Sequence, residues 1–183
     1  MFAAINTLLN SIYLLLLFID IMKIKIFALL CLSFAFFAGR STPVKQDFDR
    51  AAFYVALKSV DISEIDKELS LIDAASFAEK EAYKGTLLMK KAGLVKKPKD
   101  KLAFFKEGRI KLETELHNNA DNVEYHFLRL IIQEHAPKIT KYRGQLDEDS
   151  EYIKKNYKTL SPAVQQAVLD YSKSSTILHS SDL

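Results

Sequence analysis

The stretch NVEYHFLRLIIQEHAP, residues 122 to 137, decides the fold. Val123, Tyr125, Phe127, Leu128, Leu130, Ile131 and Ile132 cover most sides of a helix drawn through it, and a helix apolar on most sides belongs in the middle of a fold. Pro137 disfavours helical geometry at Ala136 and so ends it. Asn118-Asn119-Ala120-Asp121 breaks the chain just before it. Such a segment needs other helices to cover it, and the flanking sequence supplies them.

Upstream, Gln46 to Lys58 places Phe48, Ala52, Val55 and Ala56 along one stripe. Ser63 begins a second helix with Asp66 in its first turn and Ile65, Leu69 and Ile72 as its buried face. A third runs from about Ser76 to Ala92, with Gly93 placed to take a left-handed closing conformation and Leu94 and Val95 to pack back. Pro98 suits a first helical position and opens a fourth to about His117, with Leu102, Phe105, Ile110, Leu112 and Leu116 as apolar contacts. Downstream, Gly144 to Tyr157 is acidic at its start and basic at its end, as the helix dipole prefers. Ser161-Pro162 starts a last helix through Ala163, Ala167, Val168 and Tyr171, and the tail after Ser174 reads as frayed. The fold class is all-α, with about seven helices in antiparallel hairpins, as a helical bundle or a short stack.

Composition agrees. The 183 residues suit one domain, and 5 Gly, 4 Pro and no Trp leave too little punctuation for a many-stranded sandwich or barrel. Setting aside Lys23, Lys25, Arg40 and Asp20 leaves 23 basic and 22 acidic residues after Ser41. A body that near neutrality has no general electrostatic case for nucleic acid. The sole cysteine, Cys31, lies in the first apolar region, so a domain beginning near Thr42 has no disulfide, thiolate ligand or cysteine nucleophile.

From Met22 the chain reads Met-Lys-Ile-Lys, then a run of apolar residues to Ala38, then Gly39-Arg40-Ser41-Thr42-Pro43, the order of a secretory signal peptide. The run is shorter than the roughly 20 residues of a membrane span. Leu29 and Leu30 precede Cys31 where lipid attachment wants small residues. Residues 1–21 hold another apolar run, Ile12 to Ile19, read as an upstream extension with the true start at Met22, or as a first membrane segment. The expected organisation is extension 1–21, signal peptide 22–41 and a single all-helical domain 42–183.

Gly108 to Val123 resembles the second helix and linker of a tetratricopeptide repeat. Gly108 takes the small position, Leu112 and Leu116 the large ones, and Asn119-Ala120-Asp121-Asn122 stands for the Asn-Pro-Asp-Asn linker. The chain departs from that pattern at Ala120 and at Arg129-Leu130, where the family has Leu-Gly, and has no second copy at a period of 34. More broadly, Ala82 to Gly93, Asn122 to Pro137 and Leu160 to Lys173 resemble parts of small exported helical proteins of Bacteroidota bacteria that carry no assigned function. The resemblance implies an exported helical domain; it supplies no activity and no site.

Catalytic signatures are sparse. His126 and His135 are nine residues apart on one helix and point to opposite sides, while His117 ends a helix and His179 sits in the tail. No metal site and no cofactor is therefore expected. There is no Gly-x-Ser-x-Gly, and the glycines of a phosphate loop are missing. The acids Glu113 and Glu115, and Asp147, Glu148 and Asp149, read as solvated helix faces.

Two features remain. His126, Arg129 and Gln133, at spacings of three and four, form one narrow polar stripe on the most apolar helix. The stripe faces solvent, or buries an arginine against an acid from a neighbouring helix, or lines a groove where Arg129 grips a carboxylate or phosphate. Lys90, Lys91, Lys96, Lys97, Lys99 and Lys101 surround one loop, either solvated or touching anionic lipid or an acidic partner. The expected protein is a periplasmic or envelope-associated binding module for a protein or peptide, not an enzyme, with no nucleic-acid partner. A pocketed small-ligand carrier or enzyme, or a membrane-tethered structural protein that retains its N-terminal segment, are the alternatives.

Overall fold

The computed structural model describes residues 48–183. The extension 1–21, the signal peptide 22–41, Cys31, and Gln46 and Asp47 of the first expected helix lie outside the described residues. Within them the chain is all-helical: α1 (Arg50–Lys58), α2 (Ile62–Ala74), α3 (Lys80–Leu94), α4 (Pro98–Asn118), α5 (Val123–His135), α6 (Leu146–Asn156) and α7 (Pro162–Ser172). Short 3-10 turns at Lys138–Thr140, Tyr157–Thr159 and Ser180–Asp182 complete it.

Side-chain caps set several starts. Asp49, Asp61 and Asn122 stand in extended backbone and accept from the first free amides of α1, α2 and α5. Pro98 and Pro162 open α4 and α7, positions where a missing N–H costs nothing. Ser161 has the extended backbone of a cap, but its hydroxyl makes no capping bond.

The α3–α4 hairpin is the most extensive helix pairing. Two glycines allow it. A methyl group at Gly85 would stand 2.6 Å from the Gly108 carbonyl oxygen, and one at Gly108 would collide with the Gly85 carbonyl, so the backbones touch. Helix α5 packs against this hairpin and against α6, while α1 meets α2, α3 and α7. Tyr83, Tyr125, Phe53, Phe127, Ile65, Ile72, Leu87, Leu112, Leu128, Leu130, Ile153 and Leu178 are the large side chains removed completely from solvent.

Several expectations are corrected. In α1 the buried face is Phe53, Tyr54, Ala56 and Leu57, with Val55 exposed, because apolar residues on all sides of a short helix leave its orientation to its neighbours. Leu102 and Ile110 point outward from α4, whose inner face carries Gly108, Leu112 and Leu116. Gly93 is an ordinary helical residue; α3 ends one residue later, with Val95 extended. The tail is docked rather than frayed: Leu178 is fully buried and Ser175 nearly so.

Candidate functional site

Helix α5 joins its polar side chains to different neighbours. Near its start Glu124 accepts from Tyr54 Oη at 2.8 Å and from Arg50 Nε at 3.3 Å, tying α1 to the core. Near its end Glu134 accepts from Tyr171 Oη at 2.6 Å, Ser175 Oγ at 2.7 Å, and the amide and hydroxyl of Thr176 at 2.6 and 2.8 Å, holding the tail.

Between them lies the stripe. The structure brings His126, Arg129 and Gln133 together on one buried face of α5. Arg129 donates through Nη2 to Asp149 Oδ1 at 2.7 Å and through Nε to Oδ2 at 2.8 Å, a two-point ion pair whose acid is wholly buried. His126 Nδ1 stands 2.6 Å from Asp149 Oδ1, and its Nε2 stands 2.8 Å from the Ala120 carbonyl. Two acceptors face two ring nitrogens, an arrangement that only the imidazolium satisfies with two donated bonds. Burial lowers the imidazole pKa, but the bonds to Asp149 and Ala120 outweigh it and leave it above its ordinary value. Gln133 Nε2 donates to Gln145 Oε1 at 2.8 Å, and the Gln145 amide returns a bond to Gln133 Oε1 at 3.2 Å.

The guanidinium of Arg129 is thus engaged by acids of this chain. The reading of Asp149 as a solvated acid is corrected: α6 turns it inward because a cation of α5 waits there. Glu113 is corrected likewise, since it accepts from Arg129 Nη1 at 3.4 Å and from the hydroxyl of Tyr142. Burial, then the Glu113 charge, pushes the Tyr142 phenol well above its ordinary pKa and keeps it a donor.

Glu113 and Tyr142 carry this network to the surface, where they form part of a cleft of about 840 Å³. One wall is α4, through Leu102, Phe105, Lys106, Arg109 and Ile110. The other is the segment after α5, through Ile139, Thr140, Tyr142 and Gln145. Leu102 is 69%, Ile110 57% and Ile139 90% exposed, three of the six large apolar residues displayed on the described surface. Arg109 lies over the Tyr142 ring at 4.8 Å, and Phe105 meets the same ring edge-on at 5.6 Å. The cleft's Lys106 and Arg109 make no ion pair among the described residues. Sequence reading assigned Leu102 and Ile110 to a core; periodicity alone does not separate a buried stripe from an unpartnered one.

The lysine loop divides. Lys96, Lys97, Lys99 and Lys101 are exposed. Lys91 is bonded to Asp66 and lies over the Phe104 ring at 4.6 Å, and burial lowers the pKa of half-buried Lys90. Among the described residues no three His, Cys, Asp or Glu side chains converge to hold a metal ion, and no helix is long and apolar enough to cross a membrane.

By fold the described chain is an all-α helical bundle, with an open cleft on its surface between α4 and the segment after α5. Protein-family models, curated proteins and solved structures provide no match to it.

Proposed function

We propose that the helical body is a non-catalytic binding module of an exported, envelope-associated protein, and that the cleft between α4 and residues 138–145 receives a protein or peptide. The observation that carries this is the display of Leu102, Ile110 and Ile139 around one concavity. Exposed apolar side chains gathered at a cleft mark an interaction site, since solvent contact of such a patch is otherwise a cost to the folded monomer. Polar recognition comes from Lys106 and Arg109. The buried stripe of His126, Arg129 and Gln133 supports the cleft from behind through Glu113, Tyr142 and Gln145.

The location rests on the signal-peptide pattern of residues 22–41 and on the resemblance to exported Bacteroidota proteins. A photo-crosslinking residue in place of Ile110 or Ile139, in the full chain in living cells, is expected to give discrete protein adducts, and one in place of Val60 is not. Absence of protein adducts at both cleft positions would defeat the reading.

A further inference from the structure

We propose that the occupant of the cleft is an amphipathic helix of about three turns, with acidic residues flanking its apolar stripe. This rests on the reading of the cleft as a recognition site. The length follows from α4. Leu102 and Glu113 stand eleven helical steps apart, about 16 Å at a helical rise of 1.5 Å per residue. Leu102, Phe105, Arg109 and Glu113 follow one another at three and four residues, so the wall is a helical ridge of the kind that packs against another helix.

The backbone of the occupant is chosen by what the walls offer. One wall is a helix and the other a 3-10 turn and its continuation, and the described residues contain no strand. An extended peptide would find no ladder of amides and carbonyls and would leave its own unpaired. A helix arrives with those groups already bonded.

The charge is set by the rims. Lys106 and Arg109, both in the cleft wall, stand almost one helical turn apart on α4, exposed and in no ion pair among the described residues; Lys138 and Lys141, next to Ile139 and Thr140 in sequence, are exposed and unpaired among the described residues as well. The acid within the cleft, Glu113, is already taken by Arg129 and Tyr142. Two acids one turn apart on the incoming helix would face Lys106 and Arg109. A second copy of this chain docking by the same ridge would set these cations against their own kind. A bilayer has the right charge but the wrong shape, because a flat surface does not reach Phe105 and Tyr142 inside a concavity.

The test uses the purified full chain and labelled peptides of one length, read by fluorescence anisotropy. One carries an apolar stripe with acidic flanks, one the same stripe with basic flanks, and one the acidic design with a central proline that prevents helix formation. Binding of the first is expected to be at least about tenfold tighter than the others and to weaken with salt. The variant Lys106→Glu/Arg109→Glu is expected to reverse the preference to the basic helix, a gain of binding that misfolding does not mimic. Equal binding of the proline peptide or the basic peptide, or displacement of the acidic helix by anionic phosphatidylglycerol vesicles, would overturn the acidic-helix assignment. Failure of every peptide while Ile110 still crosslinks to protein in cells would also overturn it, yet leave the binding-module reading standing. Failure of both experiments would remove both.

Discussion

Arg129 and Asp149 meet in a two-point ion pair, 2.7 and 2.8 Å, that joins α5 to α6 where the acid has no contact with solvent. A carboxylate so placed depends on its partners, because stranding one buried charge costs more than removing both. Arg129→Met is expected to lower unfolding stability by about 3–5 kcal/mol in urea denaturation. The double variant Arg129→Met/Asp149→Leu is expected to lose less than Arg129→Met alone. A double loss equal to the sum of the two single losses would show that the pair does not act as a unit.

The glycines of the α3–α4 hairpin give a prediction with two signs. Gly85→Ala and Gly108→Ala each force a methyl group against a backbone carbonyl, which does not swing aside as a side chain would. Each is expected to cost about 1–3 kcal/mol of stability. Gly93 is helical, exposed and has nothing near its missing Cβ, so Gly93→Ala is expected to gain about 0.5–1 kcal/mol. Loss of stability in Gly93→Ala would mean that α3 ends in a left-handed residue after all.

How much of this was legible follows from where each cause lies. The central helix was readable because seven apolar residues among thirteen leave most of its sides apolar. The starts of α4 and α5 were readable because Pro98 and the Asn118–Asp121 break act on their own backbone. Val55, Leu102 and Ile110 were misplaced because a periodic stripe shows that a face exists, not that anything covers it. Gly93 beside Lys90 and Lys91 imitates a helix terminus, and only the continuing hydrogen bonds of α3 refute it. The stripe on α5 was visible, but its partners Asp149, Glu113 and Gln145 come from distant parts of the chain that spacing does not connect. The docking of the tail depends on Glu134, 41 residues before Ser175 and 42 before Thr176, for the same reason.

Glu134 accepts four bonds that fasten Ser175, Thr176 and Tyr171. Burial raises its carboxyl pKa, but those bonds prevail and hold it below the ordinary carboxylate value. A depressed folded pKa contributes stability that is present above the unfolded value of about 4.3 and lost as pH falls through the folded one. Glu134→Ala is expected to speed amide exchange at Thr176 and Leu178 at least about tenfold, because bonds to a charged group contribute roughly 1.5 kcal/mol or more. Acid is expected to lower the protection factors of the same amides, measured against the intrinsic rate at each pH, in the native chain. Unchanged protection in the variant would mean that burial of Leu178 alone holds the tail.

His126 gives a dependence of opposite sign. The groups around it are Asp149 from α6, Arg129 on its own helix, the Ala120 carbonyl before α5, and the Tyr152 ring at 4.4 Å. Burial and the Arg129 charge favour the neutral ring, and the bonds to Asp149 and Ala120 favour the imidazolium and prevail, so the folded pKa lies above the unfolded one. A raised pKa contributes stability that is complete below the unfolded value of about 6.5 and lost as pH rises through the folded value. Stability in urea is therefore expected to decline from about pH 6.5 upward. In His126→Asn that slope is expected to flatten, since asparagine can donate toward Asp149 but has no proton to lose in this range. An NMR titration of the His126 ring, in the folded protein, with a midpoint at or below 6.5 would contradict the argument. It would mean that the ring is neutral when bound and that one of its two short contacts is not a donated bond.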